Sequence, residues 1–478
     1  MKIALTVVSV SLVFALVSCK PLNRKVTSQD CLGPVRANFT RIYIGTPARG
    51  GRLSGTSFDD PLDGTTAQKF DTILRSIAEG QNPAWGAQAN IASENLIVCL
   101  DGGTFQTDGQ FDWTTGVGHS QGSSRGFTIG KNWKIHGRGV NQTKLQLVSY
   151  VADQFLVPNG APISGGRNVI IGTHSEDSSG IEISDLTADA NHDRMTAPGG
   201  LPLNLEGIVL RTRQGGHWIH DVNVVGASGD VGFLSVLYEA FAVHLWGVAN
   251  PQELQQNADN IIENVSVSNP GLSTVSGSPA GGAMDGIVVN NAVAEIRHNV
   301  VDGYQVGYGG WAMGPANFHD NIARNIAYGF NADSFTSSGV VIQSNQFLAP
   351  SLYGVVIGGG NPDVIFSNWK LLNNTIQLGN SGSVAFVLRG QVQDSTFSGN
   401  TIVASSSARN LTAIWSYAAV SGLSNRNNDF ESNRVDRGVV MNFSQDPDFN
   451  TDCRFQNRDL QGNVRQDFPD NSSSTCRQ

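Results

Sequence analysis

Between about residues 260 and 443 the chain repeats one short pattern. Asn264, Asn299, Asn321, Asn345, Asn374, Asn400 and Asn433 each sit in a brief apolar segment, and a second segment opening on Gly or another small residue follows. The segments IIENVSV, EIRHNVV, WKLLNNTI and DSTFSGNTI are rich in Val, Ile and Phe and alternate in polarity, as strands with one buried face do. A unit of 22 to 35 residues is too small to bury its own apolar side, so it must stack on its neighbours. An Asn in every unit can satisfy backbone groups at a turn and stack on the Asn above and below. The pattern therefore predicts an all-β solenoid.

This Asn ladder, on strand-turn-strand coils, resembles the right-handed parallel β-helix of the pectin lyase superfamily. A second likeness covers about residues 56 to 147: Phe58-Asp59-Asp60, Ala67-Gln68 on a helix, the Gly102-Gly103-Thr104-Phe105 turn and the run GRGVNQT from Gly137 to Thr143 resemble the N-terminal portion of pectate-lyase-like proteins. Pro61 after the Asp pair, and Asp101 where a Pro is common, depart from that pattern. Phe70, Ile73, Leu74 and Ile77 fall at helical spacing, predicting an amphipathic helix over about 65–79, capped by Asp59-Asp60, that covers the open apolar end of the solenoid. The resemblance implies a β-helix over 56–443, with 444–478 as a C-terminal cover.

Composition narrows the partners. A net charge of -9 with only 15% charged residues offers no clustered Lys and Arg for phosphate contacts, so no nucleic acid is expected. Residues 1–18 read as a secretory signal: Lys2, then the run IALTVVSVSLVFALV. Leu16-Val17-Ser18-Cys19 resembles a bacterial lipobox, which implies cleavage before Cys19, lipidation of its sulfur and residues 19–55 as a tether and first strand. Lys20 fits sorting to the outer membrane, with the lipid as the sole membrane contact of a monomer; the alternative is ordinary cleavage and secretion. Cys31, Cys99, Cys453 and Cys476 remain, an even number that predicts two disulfides in an exported protein. Sequence proximity pairs Cys31 with Cys99 and Cys453 with Cys476. These spacings suggest no metal site. His217 and His220, three apart in a strand, point to opposite faces.

Three successive connections are long, at about 190–205, 226–238 and 268–284. Emerging from one side of equivalent coils, they would wall a cleft. Alignment of EGIVLRTR, EAFAVHLW and DGIVVNNA turns Ile208, Leu210, Phe241, Val243, Ile287 and Val289 inward. The outward column is then Arg211, His244, Asn290, Gly309 and Asp333, with Arg213, Trp246 and Trp311 one step further. Such a set suits an acidic polysaccharide. Arg211 pairs with a uronate carboxylate, His244 serves as base, Asp285, Glu239 or Asp333 supplies an acid or a metal ligand, and Trp246, Trp311, Arg213 and Asn290 hold sugar. Glu206, Glu239, Asp285, Tyr304, Tyr328 and Tyr353 form a first column, read as a glycosidase carboxylate pair, a calcium site or a packed turn position. The polygalacturonase motifs are absent in their usual order. Two functions stand: a carbohydrate-active enzyme, lyase or glycoside hydrolase, and a non-catalytic, adhesin-like surface protein that binds glycan.

Overall fold

The computed structural model describes residues 29–46, 53–81, 92–112, 126–149, 154–156, 162–164, 167–173, 177–195, 204–229, 240–247, 257–269, 284–310, 314–332, 336–359, 363–405, 409–417, 425–436, 439–445 and 453–463. They form the expected right-handed parallel β-helix.

Each coil crosses a long sheet as two short strands. Ala294–Arg297 and Val300–Asp302 are one such pair, lying parallel on Ala316–His319 and Ile322–Arg324 of the next coil. Two residues make the corner between them. The first takes a positive φ, as at Asp185, Asp221, Asn264, His298, Asp320, Ser344, Asn373, Gly399, Ser432 and Gln456. The polar or small residues there tolerate the left-handed region that a β-branched residue would resist. The second residue points inward, and from Asn299 onward it is the Asn of the ladder. The Asn321 amide donates to Ile296 O at 2.8 Å and to Asn345 Oδ1 at 3.0 Å, and Asn345 Oδ1 also accepts the Asn321 backbone N–H at 3.0 Å. The same bonds recur from Asn299 through Asn433 to Asn457.

This geometry corrects the repeat at both ends. Glu263 pairs with Arg297 and Ser266 with Val300, so Asn264 is the exposed positive-φ residue and Val265 takes the inward position. The ladder also runs past 443: Cys453–Phe455 and Arg458–Asp459 stack on Asp429–Glu431 and Arg434–Val435 as a further coil.

A second sheet closes the opposite wall with parallel strands that include Asn204–Thr212, Ala240–Gly247, Met284–Asn290, Val306–Gly310 and Tyr328–Ala332. Gly207, Ala242, Gly286, Gly307, Gly329, Gly354, Ala385 and Ala413 stack where the chain bends into it. A Cβ on Gly329 would stand 2.4 Å from the Gly354 carbonyl oxygen, so close stacking of backbones selects the small residue. Inside, Tyr308, Phe318, Phe330, Trp369, Phe386, Phe397 and Phe430 interlock edge to face or stacked along the axis. The capping helix is Ala67–Ala78, with Phe70, Ile73, Leu74 and Ile77 fully buried. Its cap is Thr66, whose hydroxyl accepts the Lys69 N–H, rather than Asp59-Asp60. No helix among the described residues is long and apolar enough to cross a membrane.

Candidate functional site

Observed register rearranges the expected column on the second sheet. Arg211 pairs with Trp246 and Trp246 with Asn290, so these three share one outward column. His244 stands two residues earlier, between Val209 and Val288, in the column that also holds Gly309. The columns still meet through side chains. The Arg211 guanidinium lies over the Trp246 ring at 4.7 Å, Trp246 stacks on His244 at 5.4 Å, and Asn290 Nδ2 donates to His244 Nε2 at 3.0 Å. Arg211 and Trp246 are half-buried, while His244 and Asn290 are buried. The surface thus presents a cation beside an aromatic ring, with an imidazole held underneath by an amide.

Phe241 does not face the core as expected. It pairs with Asp285 and packs its ring 4.2 Å from His244. The first column is consequently Glu206, Phe241, Asp285, Val306, Tyr328 and Tyr353. Asp285 is half-buried there, whereas Tyr304 lies two residues outside the column in the main core. Arg213 lies exposed in a bend just past the strand. Glu239, Trp311, Asp333, Cys19, Cys476 and most of the three long connections fall outside the described residues.

Further along the same face lies a platform that alternation alone did not reveal. Tyr328 and Tyr353 meet edge to face at 5.4 Å, and Trp415 and Tyr417 lie 4.7 Å apart, all half-buried over Val356, Val384 and Val387. Arg389 pairs beside Tyr417. Burial, countered by Arg389, pushes the Tyr417 phenol up. With parallel strands ~4.8 Å apart, Arg211 and Trp415 are separated by seven strand steps, or about 34 Å. That is a span for a polymer rather than for a monosaccharide.

The outer face of the long sheet carries a different set. Strand register places Cys99, His136, Ser184, His220, Glu263, Arg297 and His319 in one column and Lys134, Glu182, Trp218 and Glu295 in another. Glu263, Arg297, Glu295, His319 and Asp320 form a chain of contacts of 2.6–3.0 Å. This belt satisfies itself. At its N-terminal end Cys31 is bonded to Cys99, with Cα atoms 5.8 Å apart, as proximity predicted. The bond docks the turn Gln29–Leu32 on the sheet and lays Asp30 against His136.

The His136 imidazole beside it and Arg36 hold the Asp30 carboxyl at about 2 despite burial. Burial opposes ionisation of Glu182, but His220, His136 and Lys134 outweigh it and hold that carboxyl at about 2 as well. Burial also opposes a charged His220, which Asp221 and Glu182 nevertheless raise to about 9. His217, just before the strand that carries His220, is buried and bonded to Thr212 and Gln214; burial lowers it to about 4. The two imidazoles do not converge.

No protein-family model and no curated protein matches the chain. Solved structures similar to it include a mannuronan C-5 epimerase A-module from Azotobacter vinelandii, at 15% identity over 76% of this chain and 85% of that one, TM-score 0.39. The catalytic domain of a GH87 alpha-1,3-glucanase in complex with nigerose is similar at 12% identity over 76% and 60%, TM-score 0.46. The Dettilon tailspike protein is similar at 12% identity over 88% and 68%, TM-score 0.47. At such identities chemistry rests with this chain's own residues.

Proposed function

We propose that the protein takes an acidic polysaccharide along the outer face of its second sheet. The observation that carries this reading is the half-buried Arg211, whose guanidinium lies over the Trp246 ring. An aromatic face accepts a sugar ring, and the adjacent cation pairs with the carboxylate that a uronate carries. The Tyr328, Tyr353, Trp415 and Tyr417 platform would hold further sugars of the same chain.

His244 takes a positioning role in this account. It is buried, and its Nε2 accepts from Asn290, so it sets the Trp246 ring rather than meeting substrate as a base. Asp285, half-buried on the same sheet beside Phe241, would supply one acid, and Glu239 or Asp333 a second, if the sugar polymer is cleaved. An enzyme, lyase or hydrolase, and a binding protein would share this surface. The burial of His244 favours binding. With Cys19 lipidated, the coil would stand at the bacterial cell surface and meet polymer there.

The full chain incubated with pectin, alginate and glycosaminoglycans separates the readings. Unsaturated uronate absorbance with new reducing ends identifies a lyase, and reducing ends alone identify a hydrolase. Retention of a polyuronate without either signal identifies the binding protein. Folded protein that neither cleaves nor retains any acidic polymer refutes the proposal.

A further inference from the structure

The buried corner under the disulfide is built like a metal site. His136 Nε2 has no hydrogen-bond partner and its ring is fully buried. It points between Asp30 Oδ2 at 3.7 Å and Glu182 Oε1 at 3.8 Å, and the three atoms all lie within 4.8 Å of one another.

Hydrogen bonds on the far side of each group fix these orientations. Ser184 Oγ donates to Asp185 at 2.8 Å, so at 2.8 Å it must accept from His136 Nδ1, which carries a proton. Arg36 donates to Asp30 Oδ1, Lys134 contacts Glu182 Oε2 and His220 approaches Glu182 Oε1, while Asp30 Oδ2 and Glu182 Oε1 are the oxygens facing the imidazole. Metal-binding residues are held in this way: the imidazole donates its other N–H, and each carboxylate is anchored through its second oxygen.

A proton alone does not account for the spacing. An imidazolium N–H bonded to a carboxylate brings the heavy atoms to about 2.7–2.9 Å, and both distances here are far longer. A lone pair on Nε2 facing two carboxylate oxygens would be repelled by both. A divalent cation between them reverses the sign. Zinc bonds of about 2.0–2.2 Å to nitrogen and oxygen put tetrahedral ligand atoms about 3.3–3.6 Å apart, which a small inward closure of this triad reaches. One imidazole with two carboxylates and no thiolate suits a borderline transition metal, and three ligands are too few for calcium.

We infer that Asp30, His136 and Glu182 form a structural site for one divalent transition-metal ion, Zn²⁺ by preference. Asp30 belongs to the segment that enters the fold, and His136 and Glu182 to two successive coils. The ion would therefore fasten that segment to the first coils from the same spot as the Cys31–Cys99 bond. Since the ligands meet only when the segment docks, binding and docking would be one event. His220 stands 3.4 Å from Glu182 Oε1 and steadies that carboxylate from the next coil.

The test uses the untagged full chain, stripped with chelator and titrated with Zn²⁺, then with Co²⁺ as a spectroscopic stand-in. Expected are one Zn²⁺ per chain by elemental analysis, a raised melting temperature, and a visible Co²⁺ band of a site with few ligands. His136→Ala should abolish all three signals. Ser184→Ala should bind about ten- to a hundredfold more weakly, the usual effect of losing an outer partner, and His298→Ala should bind as wild type. The Cys31→Ala/Cys99→Ala variant should also bind more weakly. If His136→Ala does not fold, Ser184→Ala and Glu182→Gln carry the comparison. Wild-type protein that retains no Zn²⁺, or unchanged affinity in every folded variant of the triad and of Ser184, overturns the inference.

Discussion

Replacement of Asn345 by Ala isolates what the ladder contributes. Asn345 is 1% exposed. Its Oδ1 accepts the Asn321 N–H at 3.0 Å, and its amide donates to Phe318 O at 2.8 Å and to Asn374 Oδ1 at 3.1 Å. Truncation spares two of the neighbours: Asn321 Nδ2 keeps Ile296 O, and Asn374 Oδ1 keeps the Asn345 backbone N–H. The Asn321 N–H and the Phe318 carbonyl lose their Asn345 partner in a dry interior. At about 1–3 kcal/mol for each unsatisfied buried group, Asn345→Ala should cost about 2–6 kcal/mol. Asn264→Gly is the matched control, because Asn264 is exposed at φ 54, where Gly is at ease; it should stay within about 0.5 kcal/mol of wild type. Urea unfolding followed by far-UV circular dichroism and by fluorescence of buried Trp133 and Trp369 reads both, provided the two transitions coincide. Equal costs for the two variants, or a cost below about 1 kcal/mol for Asn345→Ala, would refute the assigned ladder.

Other outcomes follow from the same geometry. The Cys31–Cys99 bond closes 68 residues; loop entropy predicts that Cys31→Ala/Cys99→Ala loses about 4 kcal/mol in urea unfolding, and a loss below about 1 kcal/mol would contradict it. Burial, partly offset by bonds from Thr107 and Asp108, raises the Asp71 carboxyl to about 7. Its native form binds a proton that the unfolded chain has released above its ordinary value of 3.8. Its contribution is thus complete below that value and declines as pH rises through 7. Asp71→Asn should flatten this part of the stability–pH curve, and an unchanged slope would exclude Asp71 as its source. Among binding variants, Tyr353→Ala and Trp415→Ala should weaken long polyuronates more than short oligomers, as measured by calorimetry; equal losses at every length would remove the platform from the account.

Much of the fold was legible because a stacked coil writes its period into the chain. The buried Asn column, the capping helix and the Cys31–Cys99 pairing could all be read there. What escaped was phase. Asn264 and Asn299 look alike in ENV and HNV, yet one occupies the positive-φ corner and the other the inward position beside it. In the second sheet, aligning Glu239 with Glu206 slipped the strand by two residues, since Phe241 is the true partner of Glu206. A slip of two preserves inward and outward alternation, so the pattern could not expose it. It set His244 beside Arg211, where the observed register places Trp246. The small-residue bend at Gly207 and Ala242 also breaks the alternation, so simple alternation turns Phe241 to the core while the structure turns it toward His244. Asp30 was hidden in a stretch read as tether. Its one signal was adjacency to Cys31, whose partner Cys99 is stacked directly under His136.

The most direct measurement of the proposed function is the affinity of the full chain for a polyuronate and for a neutral polymer of matched length, in wild type, Arg211→Ala and Trp246→Ala. A charge-assisted bond to carboxylate is worth about 1.5–3 kcal/mol, so Arg211→Ala should lose roughly ten- to a hundredfold for the polyuronate and little for the neutral chain. Trp246→Ala should weaken both. Wild-type affinity that does not distinguish the two polymers, or Arg211→Ala that binds polyuronate as tightly as wild type, would contradict the account.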